Sequence, residues 1–572
     1  MVYTIQENVR IVIAALKLYN IRHIVISPGG TNIPLSQAVQ DDPFFKCFSV
    51  VDERSAMYFA IGLYLQTGEI IATSCTSAQA TRNYVPGLTE AFYKHAPILA
   101  ITTSKLQRYQ YQDYMQAPNQ CSLPQDAVKK SFDLPPVVDL HTRVQCQQEV
   151  RDAILELTHH NQGPVQLNIR IDDFVQGQFL QTELPIIPEI KRYMAWDKWD
   201  DVELTNKEIL IIVGEHRPFG DRLINAINTF SDNFNVVIYT NHLSNYHGDH
   251  SINANLLVLC NGLKHLNPDI IISIGGQTGD YPIFYALCNS TAEHWRVSED
   301  GNVVDTYGKL TKIFECPDYF FFEHFTSTNK PDHSYLRKWK EMNSLIENDI
   351  ELPFSNLYVA QNLSQLMPQK SVINFAILNS LRCWSFYHLN SSIHCYSNVS
   401  AFGIDGCTST MIGESVTTEE LCFIVTGDLA FFYDMNSIGI RHIKNNVRIL
   451  LINNGGGAEF KYMTRPWKNQ IELGNYISAN GHFGSAKGWA ENCGFKYICS
   501  SSKEEFEENK NTFVEESGKP ILFEIFTSED NDIQAVEKLT RHNAQIFSNT
   551  NLVEKVKEKL KSKVHSLKSK LT

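Results

Sequence analysis

Short apolar, β-branched runs alternate with longer helix-patterned stretches along most of the chain, and this alternation constrains the fold more than any other feature. Strands buried on both faces of a parallel sheet read as continuous apolar runs, and each needs a crossover, usually a helix, before the next. A chain patterned this way is α/β. Strands are expected at 21–26, 70–74, 97–102 and 165–171, then at 209–213, 236–239 and 270–274. A third set is expected at 372–378, 393–397, 421–426, 447–452 and 521–526. Pro185 and Pro188 break the pattern over 180–193, which reads as a linker, and 331–353 reads as a polar, charged connector. At 572 residues the chain is too long for one core, and roughly 3 or 4 domains is the prior. The expected parse is three doubly wound parallel-sheet domains, at 1–182, 195–330 and 355–545, with a terminal helix at 550–572.

Charge and composition remove several classes of function. A formal charge of −13 leaves no basic face for nucleic-acid phosphates, so no nucleic-acid partner is expected. The first 20 residues mix charges into their apolar positions and make neither a signal peptide nor a membrane span. The 13 cysteines are odd in number and contain no CxxC pair, which points to reduced thiols and a cytoplasmic protein.

The densest local signal begins at CFIVTGDLAFFYDMNSI and closes at VRILLINNGGGAEF. One apolar strand runs into Gly427-Asp428, and 26 positions after Asp428 a second ends in Asn453-Asn454-Gly455-Gly456-Gly457. Both would finish at the carboxyl edge of a parallel sheet, where such sheets bind ligands. A carboxylate, an amide oxygen and an exposed carbonyl there can complete an oxygen shell around Mg²⁺. Gly427 lets backbone approach a phosphate, and a helix expected from Ala430 would offer it N–H groups. Either piece alone is an ordinary turn of an α/β protein. Together, in order and at this spacing, they favour the metal–diphosphate reading.

These residues resemble the signature of the thiamine-diphosphate enzyme superfamily, a GD pair followed after a little under 30 residues by NN. The resemblance extends to one branch, the menaquinone-biosynthesis synthases that join 2-oxoglutarate to isochorismate. It is carried by Ser27-Pro28-Gly29 with Pro34-Leu35, by DERSA from Asp52 to Ala56, and by Thr76 to Pro86. Gln116-Ala117 with Gln120, Asn379-Ser380, GIDG from Gly403 to Gly406, PDIIISIGG and EHWRVSEDG add to it.

The resemblance implies pyrimidine-binding, middle and diphosphate-binding domains, in that order. It implies thiamine diphosphate and Mg²⁺ as cofactors, with Asp428, the Asn454 side chain and the Gly456 carbonyl as metal ligands. Glu53 would contact the aminopyrimidine ring and drive it to the imino tautomer that removes the thiazolium C2 proton. Ile404 would hold the cofactor bent, Gln116 would line the reaction chamber, and Thr76, Gly403, Gly427, Leu429 and Ala430 would lie along the cofactor. Thr31, Asn32, Lys105, Gln120, Ser380 and Arg382 are the candidate substrate contacts. A homodimer or homotetramer with shared active sites is also implied.

The chain departs from this branch where the substrates' carboxylates are held. Gly30-Thr31 replaces the arginine after SPG, and Lys105 and Ser104 stand at the DRP arginine and aspartate. Trp384 and Val399 stand where two further arginines are expected, although Arg382 lies near the first. Tyr281-Pro282 replaces a basic pair. Arginine–carboxylate contacts are charge-assisted and often bidentate, so losing several implies substrates with fewer carboxylates.

The expected activity is therefore decarboxylation of a 2-oxo acid and transfer of the product to a second metabolite. That acceptor is not isochorismate, and a keto-sugar of surface-polysaccharide synthesis is a candidate. A plain decarboxylase releasing an aldehyde, and the menaquinone-pathway synthase itself, are the alternatives. In the C-terminal tail, Val553, Val556, Leu560, Val564, Leu567 and Leu571 recur at helical steps among seven lysines. That amphipathic basic helix would pack on its own protein or bind an anionic membrane surface or partner.

Overall fold

In the computed structural model, residues 2–172, 175, 177–327, 331–462, 476–482 and 484–548 are described. The expected tail helix at 550–572 lies outside them. By packing, the chain divides into two compact units: Met1–Arg192 with Gly301–Val303 and Thr311–Ile313, and the remainder.

The first unit is built on six parallel strands. Their order is Lys46–Ser49, His23–Ile26, Ile71–Cys75, Ile98–Lys105, Val165–Ile171 and Ser131–Leu134. Every residue of Ile71–Cys75 and Val165–Ile171 is buried, as double-sided coverage requires. Helix Glu7–Leu18 buries Val9, Ile11, Val12, Ile13, Ala15 and Leu16 in the cluster on one sheet face, and helix Glu53–Thr67 contributes Ala56, Met57, Ala60 and Ile61 to a second cluster. Asp52 caps that second helix by accepting the Ser55 N–H, and Gly68 closes it at φ +70°.

The second unit holds two more parallel sheets. In one, a seven-stranded sheet, the first five strands run Ser251–Asn253, Val236–Thr240, Ile209–Val213, Ile270–Ile274 and Glu293–Val297. In the other the order is His394–Ser397, Val372–Phe375, Cys422–Gly427, Val447–Asn453, Ile521–Phe526 and Lys496–Ser500. The two halves are joined by direct bonds. Asn245 donates to the Cys395 carbonyl at 2.9 Å and accepts the Cys395 N–H at 2.8 Å, and His242 Nε2 donates to the Trp384 carbonyl at 2.9 Å.

Three all-parallel sheets thus carry the α/β expectation, and several local readings change. The connector at 331–353 contains helix Ser334–Asn343, which buries Tyr335, Leu336 and Trp339 on a stripe that its charges obscure in the sequence. The linker at 180–193 carries strands at both ends, Phe179–Gln181 and Lys191–Met194. The strand expected at 372–378 stops at Phe375, because Leu378 takes φ +66° and starts helix Asn379–Ser385. All thirteen cysteines are free thiols. Among the described residues, no helix is long and apolar enough to cross a membrane.

Candidate active site

The GD and NN segments meet at one sheet edge. Strands Cys422–Gly427 and Val447–Asn453 are neighbours, with Gly427 opposite Ile452, so Asp428 and Asn454 leave the sheet side by side. The helix after the first strand starts at Asp428, two residues before Ala430, and spans six residues. Asp428 is 3% exposed. Its Oδ1 accepts the Leu429 N–H at 2.7 Å. Its Oδ2 accepts the N–H groups of Asn454, Gly455 and Gly456 at 3.1, 2.8 and 3.2 Å.

Glycine is required in this turn. Gly455 adopts φ +83°, and a Cβ on Gly456 would lie 2.5 Å from Asn480 Oδ1. Asn454 donates Nδ2 to Asp532 Oδ2 at 2.8 Å, and its Oδ1 is 3.3 Å from the Gly456 nitrogen. His482 Nε2 also lies 3.1 Å from Asp428 Oδ2, without the alignment of a hydrogen bond.

Burial is the largest influence on the Asp428 carboxyl and raises its pKa, against backbone donors and His482, which lower it. Burial likewise pushes Asp532 up to about 6, against bonds from Asn454, Asn356 and Thr527. The Asp428 carboxylate and the Asn454 side chain, with Asp532 behind its amide, make an oxygen-rich turn whose near nitrogen is that of His482. That chemistry fits a hard divalent cation better than a soft metal. The residues therefore offer oxygen donors of the kind a hard divalent cation such as Mg²⁺ takes.

The other residues expected along the cofactor in this unit lie on nearby loops and helix starts. Gly403 and Ile404 sit in the loop before helix Cys407–Ser415, and Ile404 is 39% exposed. Leu429 is half-buried and Ala430 buried. Ser380 is buried in the first turn of its helix, just after the left-handed Leu378. Arg382 pairs bidentately with Glu459 at 2.7 and 2.9 Å and bonds Asn379 Oδ1 at 2.7 Å. Trp384 and Val399 are 0% exposed, and the Trp384 ring packs on Phe375 at 5.7 Å.

In the first unit, Glu53 opens its helix and is half-buried. Thr31 Oγ1 lies 2.9 Å from both Thr76 Oγ1 and Thr103 Oγ1 and accepts the Ser77 N–H at 3.2 Å. Gly29 packs so closely on Thr76 that a Cβ would fall 2.2 Å from the threonine Cβ. Asn32 donates to the Ser27 carbonyl and to Ser74 Oγ, both at 3.1 Å. Gln120 accepts the Ala78 N–H at 2.9 Å and donates to Thr103 O and Asn168 Oδ1 at 3.2 and 3.0 Å. Thr31, Asn32 and Gln120 are therefore buried scaffold around the strand ends in the single chain. Gln116 is exposed at φ +55°, and Lys105 sits 4.9 Å from the Tyr114 ring centre.

Sequence reading missed Asp532, Glu524 and His482. Asp532 stands 78 residues beyond Asn454, Glu524 lies inside an apolar strand run, and His482 sits in an irregular loop. Glu524 alone carries a signal, a charge in a strand buried on both faces.

Residues 7–123 match the family described as "Thiamine pyrophosphate enzyme, N-terminal TPP binding domain". This is an enzyme of the thiamine pyrophosphate family. Its relatives narrow the class. A protein of Bacteroides fragilis named 2-succinyl-5-enolpyruvyl-6-hydroxy-3-cyclohexene-1-carboxylate synthase is 31% identical over 559 residues, 94% of this chain and 98% of the relative. Proteins of the same name from Phocaeicola vulgatus and Flavobacterium psychrophilum are 32% and 27% identical, over 93% and 89% of this chain and 97% and 93% of their own lengths. The chain belongs to the family of that synthase.

Proposed function

We propose that the protein is a thiamine-diphosphate and Mg²⁺ dependent 2-oxo acid decarboxylase and carboligase whose acceptor is not isochorismate. One observation carries this reading. The buried oxygen-rich turn is intact, while Thr31, Trp384 and Val399, standing where the family resemblance expects arginines, are uncharged and enclosed. A buried threonine, indole or valine offers a carboxylate no cationic partner. The acceptor is then a carbonyl compound with fewer carboxylates, a keto-sugar being the candidate class.

Asp428, Asn454 and the Gly456 carbonyl would hold the metal. Bound there, thiamine diphosphate supplies a centre that stabilises the carbanion left by decarboxylation. Glu53 would exchange a proton with a pyrimidine ring nitrogen through one carboxylate oxygen, and Ile404 would press an apolar side chain against the cofactor. We assign the first unit the pyrimidine-binding role and the sheet containing Asp428 the diphosphate-binding role.

Helix Glu53–Thr67 supports a shared site. Besides its buried stripe it exposes Tyr58, Phe59 and Leu65, with Val51 just before it 74% exposed. Apolar on both faces, such a helix suits an isologous contact between copies, in a homodimer or a dimer of dimers. The proposed location is the cytoplasm.

A second reading is the reaction named for the relatives, favoured by similarity along nearly the full length. One assay separates the two. Purified protein with both cofactors is given 2-oxoglutarate with isochorismate, and in parallel a panel of 2-oxo acids with keto-sugars, and products are read by mass spectrometry. Turnover of the panel but not of isochorismate is expected. Efficient product from isochorismate overturns the proposal.

A further inference from the structure

Asn453 ends the strand Val447–Asn453 and Asn454 follows it, and each is gripped by a buried carboxylate from the next strand or the helix that follows it. Asn453 Nδ2 donates to Glu524 Oε1 at 2.8 Å, and Asn454 Nδ2 donates to Asp532 Oδ2 at 2.8 Å. Glu524 belongs to Ile521–Phe526, in parallel register with Val447–Asn453, and Asp532 lies in the first turn of helix Glu529–Ser548. They are 0% and 8% exposed, and among the described residues neither forms an ion pair.

Burying a carboxylate without a counter-charge is costly, and hydrogen bonds offset only part of that cost. Each acid is instead surrounded by neutral donors. Glu524 also accepts from Ser485 Oγ at 2.8 Å, from the Ala486 N–H at 3.1 and 3.2 Å, and from the Tyr497 hydroxyl at 2.8 Å. Asp532 takes the Asn356 N–H at 2.7 Å and the Thr527 hydroxyl at 3.1 Å. An asparagine held through its NH₂ group has only one way to face its carbonyl. With Nδ2 on Asp532, the Asn454 Oδ1 is turned to the Gly456 side of the turn.

We propose that Asp532 is the positioning residue for Asn454, fixing its amide so that Oδ1 faces the metal site. This rests on Asn454 being a metal ligand, and Asp532 touches only that ligand. A cation at the site would also offset the field of the uncompensated carboxylate, so metal and positioning residue favour one another. Partners that orient ligands in this way typically contribute about 10- to 100-fold in metal affinity.

The test is a Mg²⁺ titration of the full-length protein with saturating thiamine diphosphate, followed by calorimetry and intrinsic fluorescence. Asp532→Asn should weaken the apparent Mg²⁺ Kd by about 10- to 100-fold. Thr527→Val removes the other side-chain bond to Asp532 and should change it by less than about 3-fold. In an Asn454→Ala background, Asp532→Asn should add no further loss, since the two act as one unit. As a rescue, Asn454→Asp should bind Mg²⁺ poorly because two carboxylates then face each other. The exchanged pair Asn454→Asp with Asp532→Asn should recover most of that affinity.

Wild-type Mg²⁺ affinity in Asp532→Asn, with Asn454→Ala impaired, overturns the proposal. So do losses that multiply in the double variant, which would mark a general effect on the fold. If Asp532→Asn does not fold, failure of the exchanged pair to recover overturns it equally. Unchanged affinity in Asn454→Ala removes the metal assignment itself, and this inference with it.

Discussion

Replacing His242 with glutamine should flatten the loss of stability on mild acidification. His242 is 9% exposed, stacks on Phe375 at 5.8 Å, and donates Nε2–H to the Trp384 carbonyl at 2.9 Å, tying the turn after strand Val236–Thr240 to the helix that carries Ser380 and Arg382. Burial is the main cause that lowers its pKa from 6.5 to about 4, and His388 and His247 nearby push the same way. Folding therefore favours the neutral ring. Its contribution is complete above pH 6.5 and is lost as the pH falls toward 4. Linkage with these values gives a loss of about 2 kcal/mol between pH 7.5 and pH 5, before most carboxylates protonate. For a cooperative unit of 150–250 residues that corresponds to a fall in Tm on the order of 4–8 °C. Glutamine keeps an N–H donor for the Trp384 carbonyl but does not titrate, so His242→Gln should lose that much less between the two pH values. The assay is differential scanning fluorimetry of both proteins without cofactor, read as the change in their Tm difference with pH. A difference that stays constant from pH 7.5 to 5 would refute the reasoning, because the ring would then not be held neutral by burial.

Three more outcomes follow from the candidate site. Thiamine diphosphate with Mg²⁺ at 100 times its Kd should stabilise the folded protein by about 2.7 kcal/mol, and Asp428→Ala should abolish the thermal shift. Glu53→Gln should keep that shift yet lose about 10²- to 10⁴-fold in turnover, and an unchanged rate would exclude Glu53 as the proton carrier. Mixing Glu53→Gln and Asp428→Ala proteins under subunit exchange should restore part of the activity, since one site of a mixed dimer carries both lesions and the other neither. Demonstrated exchange without recovery would contradict the shared site.

The strands were readable because burial on both faces leaves no polar alternation to confuse them. The runs at 165–171, 209–213, 270–274 and 521–526 match strands residue for residue. Helix Ser334–Asn343 was not readable, since its sequence SYLRKWKEMN hides a three-residue buried stripe among charges. The early end of the strand at Phe375 escaped for another reason. Leucine rarely adopts φ +66°, so no local propensity announces the turn at Leu378.

The site divides along the same physical line. The pairing of Asp428 with the Asn454–Gly456 turn was legible because both leave the ends of neighbouring strands at fixed offsets, and chain order preserves those offsets. Asp532 and Glu524 act through space from the neighbouring strand and its following helix, and no sequence spacing ties them to the asparagines they hold. The residues standing where the resemblance expects arginines show how the two kinds of information combine. Sequence comparison can say that Thr31, Trp384 and Val399 are not cationic. Burial adds that they do not merely lack charge: Trp384 and Val399 are 0% exposed and Thr31 is engaged by Thr76, Thr103 and Ser77. An arginine at any of these positions would have to displace packed or hydrogen-bonded neighbours. Building a carboxylate pocket there would therefore take concerted repacking rather than one substitution, so a single Val399→Arg change should cost stability without conferring use of a dicarboxylate.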